Sequence, residues 1–384
     1  MKKYRLGDII NIKHGYAFDG EHIVQEDNGI VLVTPGNFRI GGGFQEDKCK
    51  YFTGDIPDGY VLSAGDFIVT MTDLSKEIDT LGYSAIVPKS NRTYLHNQRI
   101  GLITFKNDEC YPGYIYFLMH THFYQRSIAN TSTGSTVHHT SPSKICDFCF
   151  YAPNYNQQKK IADCLFAYDN LIENNRKQIK LLEEAAQRLY KEWFVDLRFP
   201  DYENVAIVDG VPEGWKKVGL AEIAPIETGK KDANFGTEDG KYLFFTCAQE
   251  PIKAPSFSFD CDAVILAGNG DFNVKLYRGQ FEAYQRTYVF SPYDSSNLYL
   301  LYYAVKDNMR QLFQGASGST IKFLTKRMLE DILVFVPDEK ILNLFNQNCE
   351  VFQKKIETLK AQIALAQEAR DRLLPKLMSG KIEV

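Results

Sequence analysis

Amide, guanidinium and hydroxyl side chains recur at matched places in this sequence. Gln98-Arg99 is answered by Gln285-Arg286, with Asn97 before the first pair and Tyr284 before the second. Two Gly-Ser-Thr turns, Gly134-Ser135-Thr136 and Gly318-Ser319-Thr320, are each followed two residues later by a side chain with nitrogen donors, His138 and Lys322. Asn37 and Arg39 stand beside Gly41-Gly-Gly43, and Asn269 and Asn273 bracket Gly-Asp-Phe. Asn and Gln pair bidentately with adenine and Arg with guanine in the major groove, while hydroxyls and backbone amides suit phosphate oxygens. These fifteen residues, Asn37, Arg39, Asn97, Gln98, Arg99, Ser135, Thr136, His138, Asn269, Asn273, Gln285, Arg286, Ser319, Thr320 and Lys322, form the candidate DNA-reading set. Each also has an ordinary reading as a polar loop residue.

Catalytic constellations are missing. A phosphate-binding Gly-x4-Gly-Lys-[Ser/Thr] loop needs a glycine five residues before each Gly-Lys, but Gly229, Gly240 and Gly380 have Ala224, Phe235 and Pro375 there. Gly268-Asn-Gly270 lacks the third glycine and the strand-turn-helix setting of a dinucleotide fingerprint. No Asn/Asp-Pro-Pro-aromatic tetrapeptide, which amino-methylating enzymes set against a flipped base, occurs in the chain. Cys146-Asp-Phe-Cys149 is a lone Cys-x-x-Cys, short of the four ligands of structural zinc. The second copy of this segment, residues 316–337, carries Lys322 and Phe323 in place of His138 and His139 and holds no cysteine, so the cysteine pair reads as ordinary core on a strand-like segment. His120-Thr-His122 fits a helix end, and no metal site is expected.

An internal repeat organises these residues. Residues 132–153 match 316–337 at a constant offset, holding Gly134, Ser135, Thr136 and Pro153 over Gly318, Ser319, Thr320 and Pro337; Leu6-Gly-Asp-Ile9 matches Leu220-Ala-Glu-Ile223. After each shared proline the pattern turns helical. Leu165, Tyr168, Ile172, Asn175, Ile179, Leu182, Ala186, Leu189 and Trp193 fall at alternating three- and four-residue steps, as do Phe345, Cys349, Phe352, Ile356, Leu359, Ile363, Ala366, Arg370 and Leu373. Each seam spans about 42 Å of helix, near the ~34–36 Å turn of B-DNA that places paired recognition units on one face. Neither seam can be hidden alone, so an antiparallel pair with a pseudo-twofold relation is expected, its interface carried by Leu165, Ile172, Ile179, Leu182, Leu189, Phe352, Ile356, Leu359, Ile363 and Leu373. Pro375 and Ser379-Gly380 are expected to stop the second helix. Strands are predicted at 65–71, 100–105, 263–267 and 287–290, and helices through 112–119 and 297–304. The fold class is thus α+β: two mixed α/β globular domains, 1–153 and 200–337, joined and spaced by long coiled-coil helices in 154–199 and 338–384.

Composition sets the outer bounds. Hydrophobic residues make up 44% and mean hydropathy is -0.29, values that allow a buried core. No window approaches the ~20 apolar residues of a membrane span, and the opening Met1-Lys-Lys-Tyr-Arg runs into charge instead of a signal-like apolar region. Eight irregularly spaced cysteines suit free thiols in a reducing cytoplasm. With 44 basic against 48 acidic residues the chain is no polycation, and no segment is strongly basic.

At this point the sequence resembles the specificity (S) subunit of type I DNA restriction-modification systems over essentially its whole length. The stretches that carry the likeness include Gly65-Asp-Phe-Ile-Val-Thr-Met71, Asn97-Gln-Arg-Ile100, Tyr155-Asn-Gln-Gln-Lys-Lys-Ile161, Ile172-Glu-Asn-Asn175, Leu189-Tyr-Lys-Glu-Trp-Phe-Val195, Pro212-Glu-Gly-Trp215 and the terminus from Leu373. Tyr284-Gln-Arg286 and the second helix start, Asp338-Glu-Lys-Ile341, depart from it. The resemblance implies two target-recognition domains that read a bipartite double-stranded DNA site, and helices that set the unread spacer. It implies two methyltransferase (M) subunits, which bind S-adenosylmethionine and methylate adenine, and restriction (R) subunits that use ATP and Mg. This chain would then have no cofactor and no catalysis of its own. Because the two domains share little outside the matched turns, the site is expected to be asymmetric. Two other readings stand beside this one: a coiled-coil scaffold without DNA sequence specificity, and a DNA methyltransferase or nuclease, which the missing motifs disfavour.

Overall fold

The computed structural model describes residues 1–47, 49–73, 75, 78–134, 136–270, 272–318 and 322–383. The chain divides into two compact units, residues 1–174 with 362–384, and residues 175–361. The divisions fall inside the two long helices rather than at their ends.

In the first unit the β-branched runs Phe67–Thr70 and Ile100–Phe105 lie inside a four-stranded antiparallel sheet, in the order Ile10–His14, Ile100–Phe105, Phe67–Thr70, Ser84–Ile86. Gly101 lets the strands close up: a Cβ there would meet Ile12 Cγ2 at 2.4 Å. A five-stranded sheet adjoins it, with Ile30–Val33 and Thr93–His96 parallel at its centre. The helix Pro112–Leu118 starts with proline at a first-turn position, where the missing N–H costs nothing, and is buried on nearly every face. Lys2–Arg5 pairs with Cys149–Ala152 to close the unit.

The second unit repeats this plan. Its six-stranded sheet opens Ile226–Thr228, Thr287–Phe290, Phe259–Ala267, the same antiparallel order as the first three strands of its counterpart. Lys216–Gly219 pairs with Leu333–Val336 as Lys2–Arg5 does with Cys149–Ala152. The helix Leu298–Asp307 is apolar almost all round and buried accordingly.

The predicted long helices are present at Tyr155–Tyr190 and Glu339–Met378. Both begin behind the shared prolines with a side-chain cap: the Asn154 oxygen accepts from the Gln157 amide and the Asp338 carboxylate from the Ile341 amide, each at 3.0 Å. In the first unit the start of one helix packs on the end of the other, Leu165 sharing a core with Leu373, Leu374 and Leu377. In the second unit the end of the first helix meets the start of the second, with Ala186, Tyr190, Phe345, Cys349 and Phe352 in one core. The pair is antiparallel in both. Of the expected interface, Leu165, Ile172, Ile356 and Leu359 are buried, and Ile179, Leu182, Leu189, Phe352, Ile363 and Leu373 are half-buried. Beyond Tyr190 a single π turn, Lys191–Val195, delivers Trp193 and Phe194 into an aromatic cluster with Phe345, Phe199 and Trp215. That is the physical content of the Leu189–Val195 motif.

Two expectations need correction. Pro375 does not stop the second helix, which continues to Met378. Only the last turn forfeits a hydrogen bond, and Gly380, at φ +73°, ends it with the Lys381 amide donating to the Lys376 carbonyl. The Cys-x-x-Cys pair is not strand core: Cys146 ends the short helix Pro142–Cys146 and is half-buried, and Cys149 is exposed at the start of a strand. All eight cysteines are free thiols. Among the described residues no helix is long and apolar enough to cross a membrane.

Arg370 occupies a seam position in the first unit and reaches Asp169 at 2.7 Å, both side chains less than a fifth exposed. Burial pushes the Asp169 carboxyl up, against the pull of the Arg370 guanidinium. Removing one partner strands the other charge, so Arg370→Ala should lower the urea unfolding midpoint at a cost of about 3 kcal/mol. The double change Asp169→Leu with Arg370→Met should recover most of that loss.

Candidate nucleic-acid interface

Four backbone segments lie side by side at one rim of the first unit. The Gln98 amide donates to the Tyr16 carbonyl (2.8 Å), Met71 to Arg99 (2.9 Å) and Thr140 to Met71 (3.0 Å). The second unit is laced identically. There the Gln285 amide donates to Lys231 (2.9 Å), Gly268 to Arg286 (2.9 Å) and Leu324 to Gly268 (2.8 Å). Parallel bridges join Tyr16 to Asn97 and Lys231 to Tyr284. A glycine precedes each lace for a steric reason: a Cβ on Gly15 would lie 2.1 Å from the Asn97 carbonyl oxygen, and one on Gly229 2.2 Å from that of Ala283. At the far side of each rim a hairpin closes with reciprocal bonds, Thr133 with His139 (3.0 and 2.8 Å) and Ser317 with Phe323 (3.1 and 2.8 Å). Gly134 and Gly318 both turn these hairpins at φ +103°, in the left-handed region glycine tolerates.

The rims bring together part of the candidate DNA-reading set. Gln98, Arg99 and Thr136 are exposed on the first, and Gln285 and Arg286 on the second. Neither Arg99 nor Arg286 makes a side-chain hydrogen bond or ion pair to any described residue. His138 is half-buried opposite Asp73, its Nδ1 enclosed without a partner, and His139 Nδ1 lies 3.2 Å from the Thr72 hydroxyl. Burial pushes the Asp73 carboxyl up, but the Ser75 and Thr80 amides and the Thr80 hydroxyl outweigh it and hold the group below its usual value. Behind the turn, burial lowers His96, whose Nε2 contacts the Ile100 carbonyl at 2.9 Å. On the second rim Lys322 lies over the Phe313 ring, 4.2 Å from its centroid, and Asn269 bridges to Phe323. A cleft of about 380 Å³ opens there between Thr228, Gly268, Arg286 and Phe323.

Other members of the set are engaged in holding the chain together. Asn37 is fully buried; its oxygen accepts from the Thr34 amide and its nitrogen donates to the Gln45 carbonyl, so it has no free edge for a base. Arg39 is ion-paired with Glu173 on the first long helix. The Asn97 oxygen accepts from the Arg99 amide at 2.9 Å and so shapes the turn instead of reading from it. Asn273 donates to the Cys247 carbonyl and also meets Lys275, and Gln285 donates to Asp232 at 2.6 Å. Ser135, Ser319 and Thr320 lie outside the described residues. Sequence reading missed Tyr16 and Lys231, the outer strands of the rims, and His139. Its nearest signal was Gly229-Lys230, weighed only as a failed phosphate loop. Among the described residues no cluster of three His, Cys, Asp or Glu side chains is placed to hold a metal.

The sequence profile of the family described as "Type I restriction modification DNA specificity domain" matches residues 1–184 and 212–368. The EcoDI specificity subunit of a type I restriction enzyme from Escherichia coli is 36% identical over 176 residues, which span 45% of this chain and 39% of that one. The MjaIX specificity subunit from Methanocaldococcus jannaschii is 26% identical across 98% of this chain and 85% of its own length. In fold, the chain is similar to the crystal structure of a type I restriction-modification S subunit from M. genitalium, with a TM-score of 0.57 at 16% identity, covering 98% of this chain and 95% of that one.

The glycines that lead into the laces give a direct test of the rims. Gly15→Ala and Gly229→Ala should each destabilise by about 1–3 kcal/mol, because a main-chain carbonyl must move. Gly20→Ala, with open space around its Cβ position, should leave the thermal unfolding midpoint unchanged.

Proposed function

This chain belongs to the type I restriction-modification DNA specificity family, and on that basis we propose that it is the non-catalytic DNA-binding subunit of a type I restriction-modification complex. It reads a split, asymmetric double-stranded site, one half through each recognition domain. The observation that carries this reading is the rim built twice by the same three backbone hydrogen bonds, each presenting a glutamine-arginine pair outward. Two equivalent reading edges on one chain suit two half-sites, and the absence of catalytic motifs in the sequence suits chemistry performed in trans. The partners are two M subunits, which supply S-adenosylmethionine and flip the adenine to be methylated, and R subunits, which supply ATP and Mg chemistry. The complex works in the cytoplasm, where its DNA lies.

Charge bears on assembly. Residues 1–153 carry 14 basic and 16 acidic groups, little with which to neutralise phosphates. Phosphate neutralisation supplies much of any DNA affinity, so the isolated chain should bind DNA far more weakly than the complex with M subunits at equal salt. Equal affinities in a filter-binding comparison would refute this. Inserting one heptad into each long helix should lengthen the unread gap by about 10 Å, roughly three base pairs.

The deciding experiment co-expresses the chain with its M subunit in a methylation-free host and maps N6-methyladenine across the genome. A single split motif modified in both halves is expected. A stable complex that leaves no new methylation would favour a scaffold instead.

A further inference from the structure

The two rims share a backbone frame and one glutamine-arginine pair, but not the side chains on either side of it. Across the matched segments the glutamine-arginine pair is retained, as Gln98-Arg99 and Gln285-Arg286, while the segments laced on either side of it differ. Tyr16 stands where the second rim has Lys231, and His139 where it has Phe323; the equivalences follow from the same backbone bonds. Tyr16, His139 and Phe323 are exposed, and Lys231 is half-buried with its ammonium 4.6 Å from the Phe235 ring centroid.

Under the reading above, the two half-sites differ in sequence. What they have in common is the sugar-phosphate backbone. A side chain kept on both rims therefore faces what is constant, and side chains that differ between rims face what varies. Fold maintenance does not explain the retained arginines: both are exposed, and neither pairs with any described residue. Gln285, by contrast, is tied to Asp232, so on the second rim the glutamine is less free for such a role than the arginine.

We propose that Arg99 and Arg286 are phosphate clamps that seat each recognition domain on the duplex without reading sequence, and that the flanking pairs Tyr16/His139 and Lys231/Phe323 determine which bases each half-site contains. This rests on the specificity-subunit reading and divides the work within it. A phosphate contact fixes register and orientation and responds to salt, while a base contact discriminates between sequences. These arginines thus hold the backbone, where residue type alone suggests that they read guanine.

The test uses the complex with M subunits, with binding to cognate and scrambled duplexes measured over a salt series and methylation mapped in the methylation-free host. Arg99→Ala should weaken binding to both duplexes alike, roughly tenfold, and reduce the slope of log K against log salt by about 0.9. The methylated motif should keep its sequence. Arg99→Lys should restore most of the affinity and of the salt slope, because a point charge satisfies a phosphate. The paired change Tyr16→Lys with His139→Phe, which grafts the second rim's side chains onto the first, should alter one half of the motif and leave the other intact.

A motif that relaxes at one base pair in Arg99→Ala would overturn the clamp. An unchanged motif in the grafted variant would overturn the readers. Failure of the wild-type complex to produce any split motif would instead sink the specificity-subunit reading itself, and this inference with it.

Discussion

A helix of 36 or 40 residues with an apolar residue at every third or fourth position presents a stripe that water will not solvate, so it persists only where something covers it. Each compact unit covers its own portion of both helices. In the first, Leu165 and the Leu373–Leu377 turn close a core that also takes in the helix Pro112–Leu118. In the second, the π turn after Tyr190 swings Trp193 and Phe194 onto Phe345 and Trp215. Each globular part is thereby fused to helix instead of hanging from it.

The seam also carries its own register mark. Sliding one helix past the other would separate Arg370 from Asp169 and leave both charges in a partly dry setting. Ion pairing of Arg39 with Glu173 adds a second tie, from a loop of the recognition domain to the helix surface. Arg39, which sequence alone offered as a base reader, thus ties its loop to the helix instead.

Much of the architecture was legible because periodicity and turn chemistry leave direct traces. The three-four spacing located both helices, the shared prolines marked where they begin, and the matched Gly-Ser-Thr turns exposed the repeat. The rims were only half legible. Gln98-Arg99 and Gln285-Arg286 stood out as identities, but Tyr16 with Lys231 did not, because main-chain hydrogen bonds hold them and impose no residue type, and Met71 with Gly268 did not, because a core side chain in one unit stands where the other leaves no room for a Cβ. Asn37 and Asn97 misled for the opposite reason. An amide able to pair with adenine is equally able to satisfy a backbone N–H, and only burial tells the two uses apart. Pro375 misled because its missing N–H matters little in a final turn.

Construction of the rims from peptide groups has an evolutionary corollary. The bonds that lace Tyr16, Gln98, Arg99, Met71 and Thr140 together belong to no particular side chain, so replacing one residue removes none of them. At the exposed positions Tyr16, Gln98 and Arg99 folding exerts little veto over what is displayed, whereas Met71 and Thr140 are buried and the glycines beside each lace carry the steric constraint. Two copies that have already drifted to tyrosine against lysine, and histidine against phenylalanine, on the same lattice illustrate the latitude. Such a scaffold is mutationally robust where novelty is wanted and brittle only where the main chain must pass.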